Sequence, residues 1–206
     1  MTDAAAPSDA VPAAPTTFVD ERHYLFDHNP DRPWPTGENK RLLATVRRSW
    51  HHDDLQLSKF DSQLRSRRLG VQIIIRDHRT LKHSSRNDQP VEDHFCALDE
   101  PVTYDLIADC LTFGSADIQT RNPYLLRQGL GTLMFNAMIA WAYQYHPDAM
   151  VAPLLVTDTT KDGPGPFYKV FGFTMTGQGT KLMPVAHLRF GAVNKRFQAI
   201  NPNMIV

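Results

Sequence analysis

The apolar positions of the chain change their spacing from segment to segment, and that spacing predicts the elements. Leu130, Met134, Met138 and Trp141 fall on one helical stripe, and Pro147 follows them. A stripe of this kind is typical of an amphipathic helix that packs one face on a core. The pattern therefore predicts a long helix that begins near residue 130 and ends before Pro147.

Helical spacing also occurs nearer the N-terminus. Leu42, Leu43, Val46 and Trp50 recur at that spacing, so a helix is predicted from Thr36 onward. A second helix is predicted from Asp53 or Asp54 through about Arg68, after the break at residues 51–54.

Other segments have the composition of strands. Residues 69–77 are rich in β-branched side chains, and residues 150–158 form an almost continuous apolar run. Further strands are predicted over 94–99, over 102–113 with a break near 108–110, and over 181–190. Directly joined strands followed by a strand–helix–strand unit predict an α+β fold. The expected sheet is mixed and flanked by helices.

Composition limits the class of protein. Basic and acidic residues balance at 22 each, which gives no general attraction for nucleic acid or an anionic membrane. No apolar run reaches the ~20 residues of a membrane span. Cys96 and Cys110 match no metal-ligand spacing and suit a reducing compartment. We expect a cytoplasmic protein without a metal, with a disordered or irregular arm over 1–35 and one domain over 36–206.

A glycine turn precedes the long helix. Gly129 and Gly131 leave the backbone bare where the helix begins, and Arg127 stands beside them. The first amides of a helix lack internal partners and carry the positive end of its dipole, so they can bind phosphate. The P-loop and dinucleotide fingerprints are excluded, because Gly131 is followed by Thr132 without a lysine and Met134 replaces the third small residue.

An aromatic turn follows the buried run. Pro166 suits the first turn of a short helix, and Gly172 suits the left-handed residue just beyond its end. Phe173 is then expected to pack back onto Tyr168. Two interpretations of Tyr168 remain open from the residues alone: a packing partner of Phe173, or a phenol that donates a proton to a departing thiolate.

The two turns together resemble the GNAT superfamily of acyl-CoA N-acyltransferases, over roughly residues 69–190. The first family signature, Gln/Arg-x-x-Gly-x-Gly/Ala, corresponds to residues 126–131, where Leu126 replaces the usual Gln or Arg. The second, aromatic-Tyr-x-x-x-Gly-Phe, is matched in full by residues 167–173. Lys161 and Pro164 stand where the family often has Asn and Ala.

The resemblance implies a fold and a function. The fold is a GNAT-like mixed β-sheet of about six to seven strands that is splayed into a V and flanked by helices. The resemblance implies an N-acetyltransferase that moves an acetyl group from acetyl-CoA to a primary amine by direct attack in a ternary complex, with Tyr168 as general acid. It also implies that the pyrophosphate of acetyl-CoA is bound by the main chain at Gln128, Gly129, Leu130, Gly131 and Thr132. Arg127 and Lys161 are additional candidates for phosphate contacts.

Several alternatives stay open. Among the strand-region carboxylates Glu100, Asp105, Asp109 and Asp117, Asp109 is the predicted base. The acceptor can be a protein, a small molecule or an aminoacyl-tRNA, and a homodimer is left open. The alternative function is a GNAT-like module that binds acyl-CoA or a partner without catalysis.

Overall fold

The computed structural model of the chain describes residues 19–27, 41–55, 64–77, 97–105, 109–113, 125, 127–156 and 165–201. Ten strands and two α-helices lie in these ranges. The strands are β1 (Val19–Asp27), β2 (Arg41–Leu55), β3 (Leu64–Asp77), β4 (Ala97–Asp105), β5 (Cys110–Phe113), β6 (Met150–Val151), β7 (Met175–Thr176), β8 (Gly179–Thr180), β9 (Met183–Pro184) and β10 (Gln198–Ile200). The helices are α1 (Leu130–Tyr145) and α2 (Gly165–Val170), with a 3₁₀ turn at Val185–His187.

Eight of the strands form one sheet in the order β10-β1-β2-β3-β4-β5-β6-β9, and β7 and β8 form a separate pair. The neighbours β5 and β6 are parallel, and the other neighbours in the sheet are antiparallel. The prediction of a mixed α/β fold is confirmed. The expected number of six to seven strands was too low, because the N-terminal third adds strands rather than helices.

The two N-terminal helices were wrongly predicted. The segment containing Leu42 and Val46 is β2, which pairs with β1 on one side and β3 on the other. Every residue from Leu42 to Val46 is buried, because β2 is central and covered on both faces. Such a strand shows no alternation of polar and apolar residues, and its apolar positions then match a helical period by chance. The second predicted helix likewise overlaps the end of β2 and the start of β3.

The boundary of the N-terminal arm was also wrong in part. β1 lies inside the segment predicted to be irregular, and it pairs with β2 from Val19 to Asp27. Phe26 of β1 is buried, and its ring centroid lies 4.7 Å from that of Phe197. The arm therefore supplies a strand with a core contact.

The long helix is confirmed as α1. Leu130, Met134, Met138 and Trp141 are all buried, as expected for a stripe that faces a core. α1 ends at Tyr145, and the N–H of the C-cap residue His146 donates to the carbonyl of Ala142. No helix in the described ranges combines the length and apolarity that a membrane span needs.

The predicted strand over 181–190 was wrong beyond β9. The chain makes the 3₁₀ turn and then a C-terminal segment, residues 188–200, which runs back along α1. Tyr143 Oη donates to the Leu188 carbonyl at 2.6 Å. The Asn136 amide makes two hydrogen bonds with the backbone of Gly191, at 2.9 and 2.8 Å. The segment ends as β10 against β1.

Candidate functional site

The parallel ladder between β5 and β6 is short. Met150 N–H donates to the Asp109 carbonyl at 3.1 Å, and Ala152 N–H donates to the Leu111 carbonyl at 2.8 Å. In a parallel ladder every second amide continues this series, so the next bond would join the Leu154 N–H to the Phe113 carbonyl.

Leu154 does not make that bond. Its N–H donates instead on the side of the chain that faces away from β5. Leu154 N–H donates to Thr180 Oγ1 at 2.9 Å, and the Thr180 N–H donates back to the Leu154 carbonyl at 2.9 Å. Val156 N–H then donates to the Gln178 carbonyl at 3.3 Å. The chain after β6 therefore turns its amides away from β5, and the two strands separate at their carboxyl ends.

The glycine turn lies beyond the carboxyl end of β5, where α1 begins. Gly129 has φ of 93° and is the N-cap residue of α1. Its carbonyl accepts the N–H groups of Thr132 and Leu133, at 3.1 and 3.3 Å. No side chain in the described part of the chain caps this turn, so the helix start retains amides with no intrahelical acceptor.

The two residues before Gly129 differ in exposure, and Phe197 packs against Gly129 itself. Gln128 is buried, whereas Arg127 is exposed and has a φ of 58°. Left-handed backbone in a non-glycine residue costs about 1–2 kcal/mol. On the other side, a Cβ added to Gly129 would lie 3.2 Å from Phe197 Cε2. The bare backbone at Gly129 thus also serves the packing of the C-terminal segment.

The aromatic turn has the predicted geometry. Gly172 has φ of 92°; its N–H donates to the Lys169 carbonyl at 3.1 Å, and the Phe173 N–H donates to the Tyr168 carbonyl at 3.3 Å. These two bonds form a Schellman motif at the end of α2. The rings of Tyr168 and Phe173 are 6.0 Å apart, edge to face, so the predicted packing contact is confirmed.

Tyr168 belongs to an aromatic cluster centred on Phe135 of α1. Phe135 contacts the rings of Tyr168 at 5.9 Å and Phe171 at 4.6 Å. Phe113, the last residue of β5, is 5.4 Å from Phe135. Tyr168 is 3% exposed. The structure therefore brings Tyr168 close to the carboxyl end of β5 and to the first half of α1.

Asp109 lies elsewhere. It precedes β5 and is four residues ahead of Phe113, about 13 Å along an extended chain. Its Oδ1 accepts a hydrogen bond from Tyr104 Oη at 2.7 Å, and the Tyr104 ring stacks on His146 at the far end of α1 with centroids 3.7 Å apart. Asp109 is thus placed at the opposite end of the strand from the turns that contain Gly129 and Tyr168.

Lys161, the other predicted phosphate contact, lies outside the described residues. Among the residues that the structure does describe, no three His, Cys, Asp or Glu side chains are grouped so that they could hold a metal ion.

Sequence reasoning missed two residues that shape the site. Thr180 accepts the Leu154 N–H, and only the fold brings these residues together. Phe197 fills the space beside Gly129 from 68 positions along the chain, and neither spacing nor composition indicates such a contact. Pro153 has no N–H to donate. Its presence in the sequence could have indicated that the regular strand ladder stops after β6.

The chain matches no protein-family model, no curated protein and no solved structure. The resemblance to the GNAT superfamily therefore rests on the residues of the two turns and on their surroundings. The function is accordingly argued from the site.

Proposed function

We propose that the chain is an acetyl-CoA-dependent N-acetyltransferase with a GNAT-like arrangement, acting on a primary amine. The observation that carries the proposal is the separation of β5 from the chain after β6. Ligands of open α/β sheets bind beyond the carboxyl ends of strands, at the point where the chain connections change direction. Here that point lies between the start of α1 and the cluster around Tyr168.

The start of α1 supports binding of the phosphate groups. The amides near Leu130 and Gly131 are at the positive end of a helix of 16 residues, which favours an anion. Arg127 is exposed beside them and can add a charge-assisted hydrogen bond. The left-handed Arg127 is also a strained residue, and strain of this kind concentrates at functional sites.

The edge of β5, where it separates from the chain after β6, supports binding of the extended pantetheine arm of acetyl-CoA. The Phe113 carbonyl does not receive the Leu154 N–H that a continued ladder would supply. A backbone acceptor at the mouth of such an opening can bind an amide N–H of the pantetheine arm, in the manner of an added strand.

The chemistry requires one proton at the leaving sulfur. The acceptor nitrogen attacks the thioester carbonyl, a C–N bond forms, the C–S bond breaks, and the thiolate takes a proton from Tyr168 Oη. The proton lost by the amine passes to solvent and restores the phenol. A phenol, with a pKa near 10, is protonated at neutral pH. It can therefore donate a proton to a thiolate whose thiol has a pKa near 8.5. Asp109, at the other end of β5, takes no part in this proposal.

The test is calorimetry of the full chain with acetyl-CoA, followed by a thiol-release assay against a panel of amines. Tyr168→Phe is expected to bind acetyl-CoA as before and to lose about 10²–10⁴-fold in turnover. Tyr143→Phe is the matched control, because it removes a hydroxyl that donates to the backbone carbonyls of Ala186 and Leu188, away from the aromatic cluster around Phe135. It should leave turnover unchanged.

The burial of Tyr168 among phenylalanine rings favours a second candidate, a GNAT-like module that binds acyl-CoA without catalysis. Binding without thiol release, for every amine in the panel, would support that candidate. Unchanged turnover of Tyr168→Phe would eliminate Tyr168 as the acid. Absence of acetyl-CoA binding would refute both functions.

A further inference from the structure

A cavity lies on the side of α1 that faces away from Tyr168. Its volume is about 200 Å³, and it is enclosed by β1, β2, α1 and the C-terminal segment. Its apolar walls are Tyr24 and Val46 from the strands and Leu133, Ala137 and Ala140 from the helix. This volume is several times what one water molecule requires, and it is below the ~300 Å³ at which pockets for drug-sized ligands begin. The occupant must therefore be small.

Two arginines stand together in this cavity. Arg22 of β1 lies opposite Val46 of β2, and Arg48 follows two residues later on β2. Because side chains alternate along a strand, Arg22, Val46 and Arg48 share one face of the sheet. This is the face that carries the buried residues Phe26 and Leu42. Arg48 is half-buried on this face, and Arg22 is exposed at its margin.

The charges in the cavity do not cancel. Asp20, opposite Arg48 in the register, forms an ion pair with it, and Arg22 adds a second positive charge. Glu21 is on the other face, where it binds Arg47 at 2.6 Å. Among Arg22, Arg48 and Asp20, one positive charge is therefore in excess.

The environment of Arg48 makes an anion favourable. Its side chain is only 12% exposed, and desolvation by burial lowers its pKa. A guanidinium has five N–H donors, more than one carboxylate can satisfy. A ligand carboxylate in the cavity would replace part of the hydration that burial removes from Arg48, and Arg–carboxylate pairs can form two parallel hydrogen bonds.

The rim of the cavity is apolar. Phe190 is 57% exposed and Val193 is 41% exposed, although both are large hydrophobic residues. Phe190 stacks on Tyr143 at 5.8 Å, which holds it at the rim. Asn136 also lines the cavity, and its side-chain amide is already bonded to the backbone of Gly191. The lining therefore offers a cationic end and an apolar body.

We propose that this cavity binds a small carboxylic acid with an aromatic or branched apolar body. The carboxylate lies between Arg22 and Arg48, and the apolar body lies against Tyr24, Val46 and Ala140. The site is separate from the proposed acyl-CoA site, since it uses the opposite side of α1, and the proposal does not depend on the acyltransferase activity.

The probe is phenylacetate, titrated into the full chain by calorimetry and by saturation-transfer NMR. Phenylacetamide, which keeps the ring and loses the charge, is the matched ligand. We expect phenylacetate to bind at least about tenfold more tightly than phenylacetamide. The affinity for phenylacetate should decrease with added salt. Arg22→Gln should remove this preference, and Ala140→Leu should reduce binding of both ligands by filling the cavity.

Arg47→Gln is the control variant. It removes an arginine adjacent in sequence to Arg48 but on the opposite face of the sheet, and it should leave phenylacetate binding unchanged. Circular dichroism and thermal melting of each variant establish that it is folded. The proposal is overturned by equal affinity for acid and amide, by Arg22→Gln binding as the parent does, or by no saturable binding at ~10 mM phenylacetate.

Discussion

Replacement of Gly172 by alanine is expected to destabilise the protein strongly. The residue has φ of 92°, and a Cβ added to it would lie 2.5 Å from the carbonyl oxygen of His187. That oxygen cannot easily move away. The Leu188 N–H donates to the Val185 carbonyl at 2.8 Å, and the Arg189 N–H donates to the Phe171 carbonyl at 2.9 Å, so the backbone is held on both sides of the contact.

Two terms contribute to the loss. The left-handed conformation costs an alanine about 1–2 kcal/mol, and an overlap with fixed neighbours typically costs 1–3 kcal/mol. Together they predict a decrease of about 2–5 kcal/mol in the free energy of unfolding. Since small domains have only about 5–15 kcal/mol in total, the effect is large.

The measurement is equilibrium unfolding in urea followed by circular dichroism, with an unchanged dependence on urea concentration. Gly177→Ala is the control, because no atom of the described residues beyond its two chain neighbours lies within 4 Å of the added Cβ; it should change stability by less than about 1 kcal/mol. Gly172→Asn separates the two terms. Asn tolerates left-handed backbone but keeps the Cβ overlap, so it should recover at most about 1 kcal/mol. Full recovery by Asn, or a loss below ~0.5 kcal/mol with Ala, would refute the reasoning.

Three further substitutions test individual contacts described above. Asn136→Ala should lower the free energy of unfolding by about 2–3 kcal/mol in urea titrations, because two hydrogen bonds to Gly191 are lost and its backbone groups are left unpaired. Phe135→Ala should lower it by about 3–5 kcal/mol, since the ring at the centre of the aromatic cluster is removed. Arg127→Gly should leave stability unchanged or raise it by up to ~1 kcal/mol through relief of the left-handed strain, while calorimetry shows weaker acetyl-CoA binding. Stable protein with undiminished acetyl-CoA affinity would exclude Arg127 from the phosphate contacts.

The parts of the fold that could be predicted are those whose hydrogen bonds are local. The Schellman motif at Gly172 is made between residues of one short segment, so Pro166, Gly172 and Phe173 were sufficient to indicate it. The stripe of α1 is likewise a local pattern, although burial extends beyond it to Leu133, Phe135 and Ile139. In both cases the residue types and their spacing already contain the geometry.

The parts that could not be predicted depend on distant partners. β2 is central because β1 and β3 lie on either side of it, and burial on both faces removes the alternation that identifies a strand. Leu154 turns towards Thr180, and Gly129 accommodates Phe197, through contacts that sequence spacing does not reveal. The position of Asp109 shows the same limit, since alternation along a strand predicts the face of a residue but not the end of the sheet near which it lies.

The two proposed sites use different faces of a single helix. Successive residues of an α-helix are rotated by about 100°, so Phe135, which contacts Tyr168, and Ala137, which lines the cavity, point about 160° apart. The helix is held in place by the Asn136 contact with Gly191, which lies between these two faces. Ala140→Leu and Arg22→Gln therefore alter the cavity without removing any contact of the aromatic cluster centred on Phe135, to which Tyr168 belongs. For this reason a loss of phenylacetate binding and a loss of acetyl transfer report on independent parts of the molecule, and each proposal can fail while the other stands.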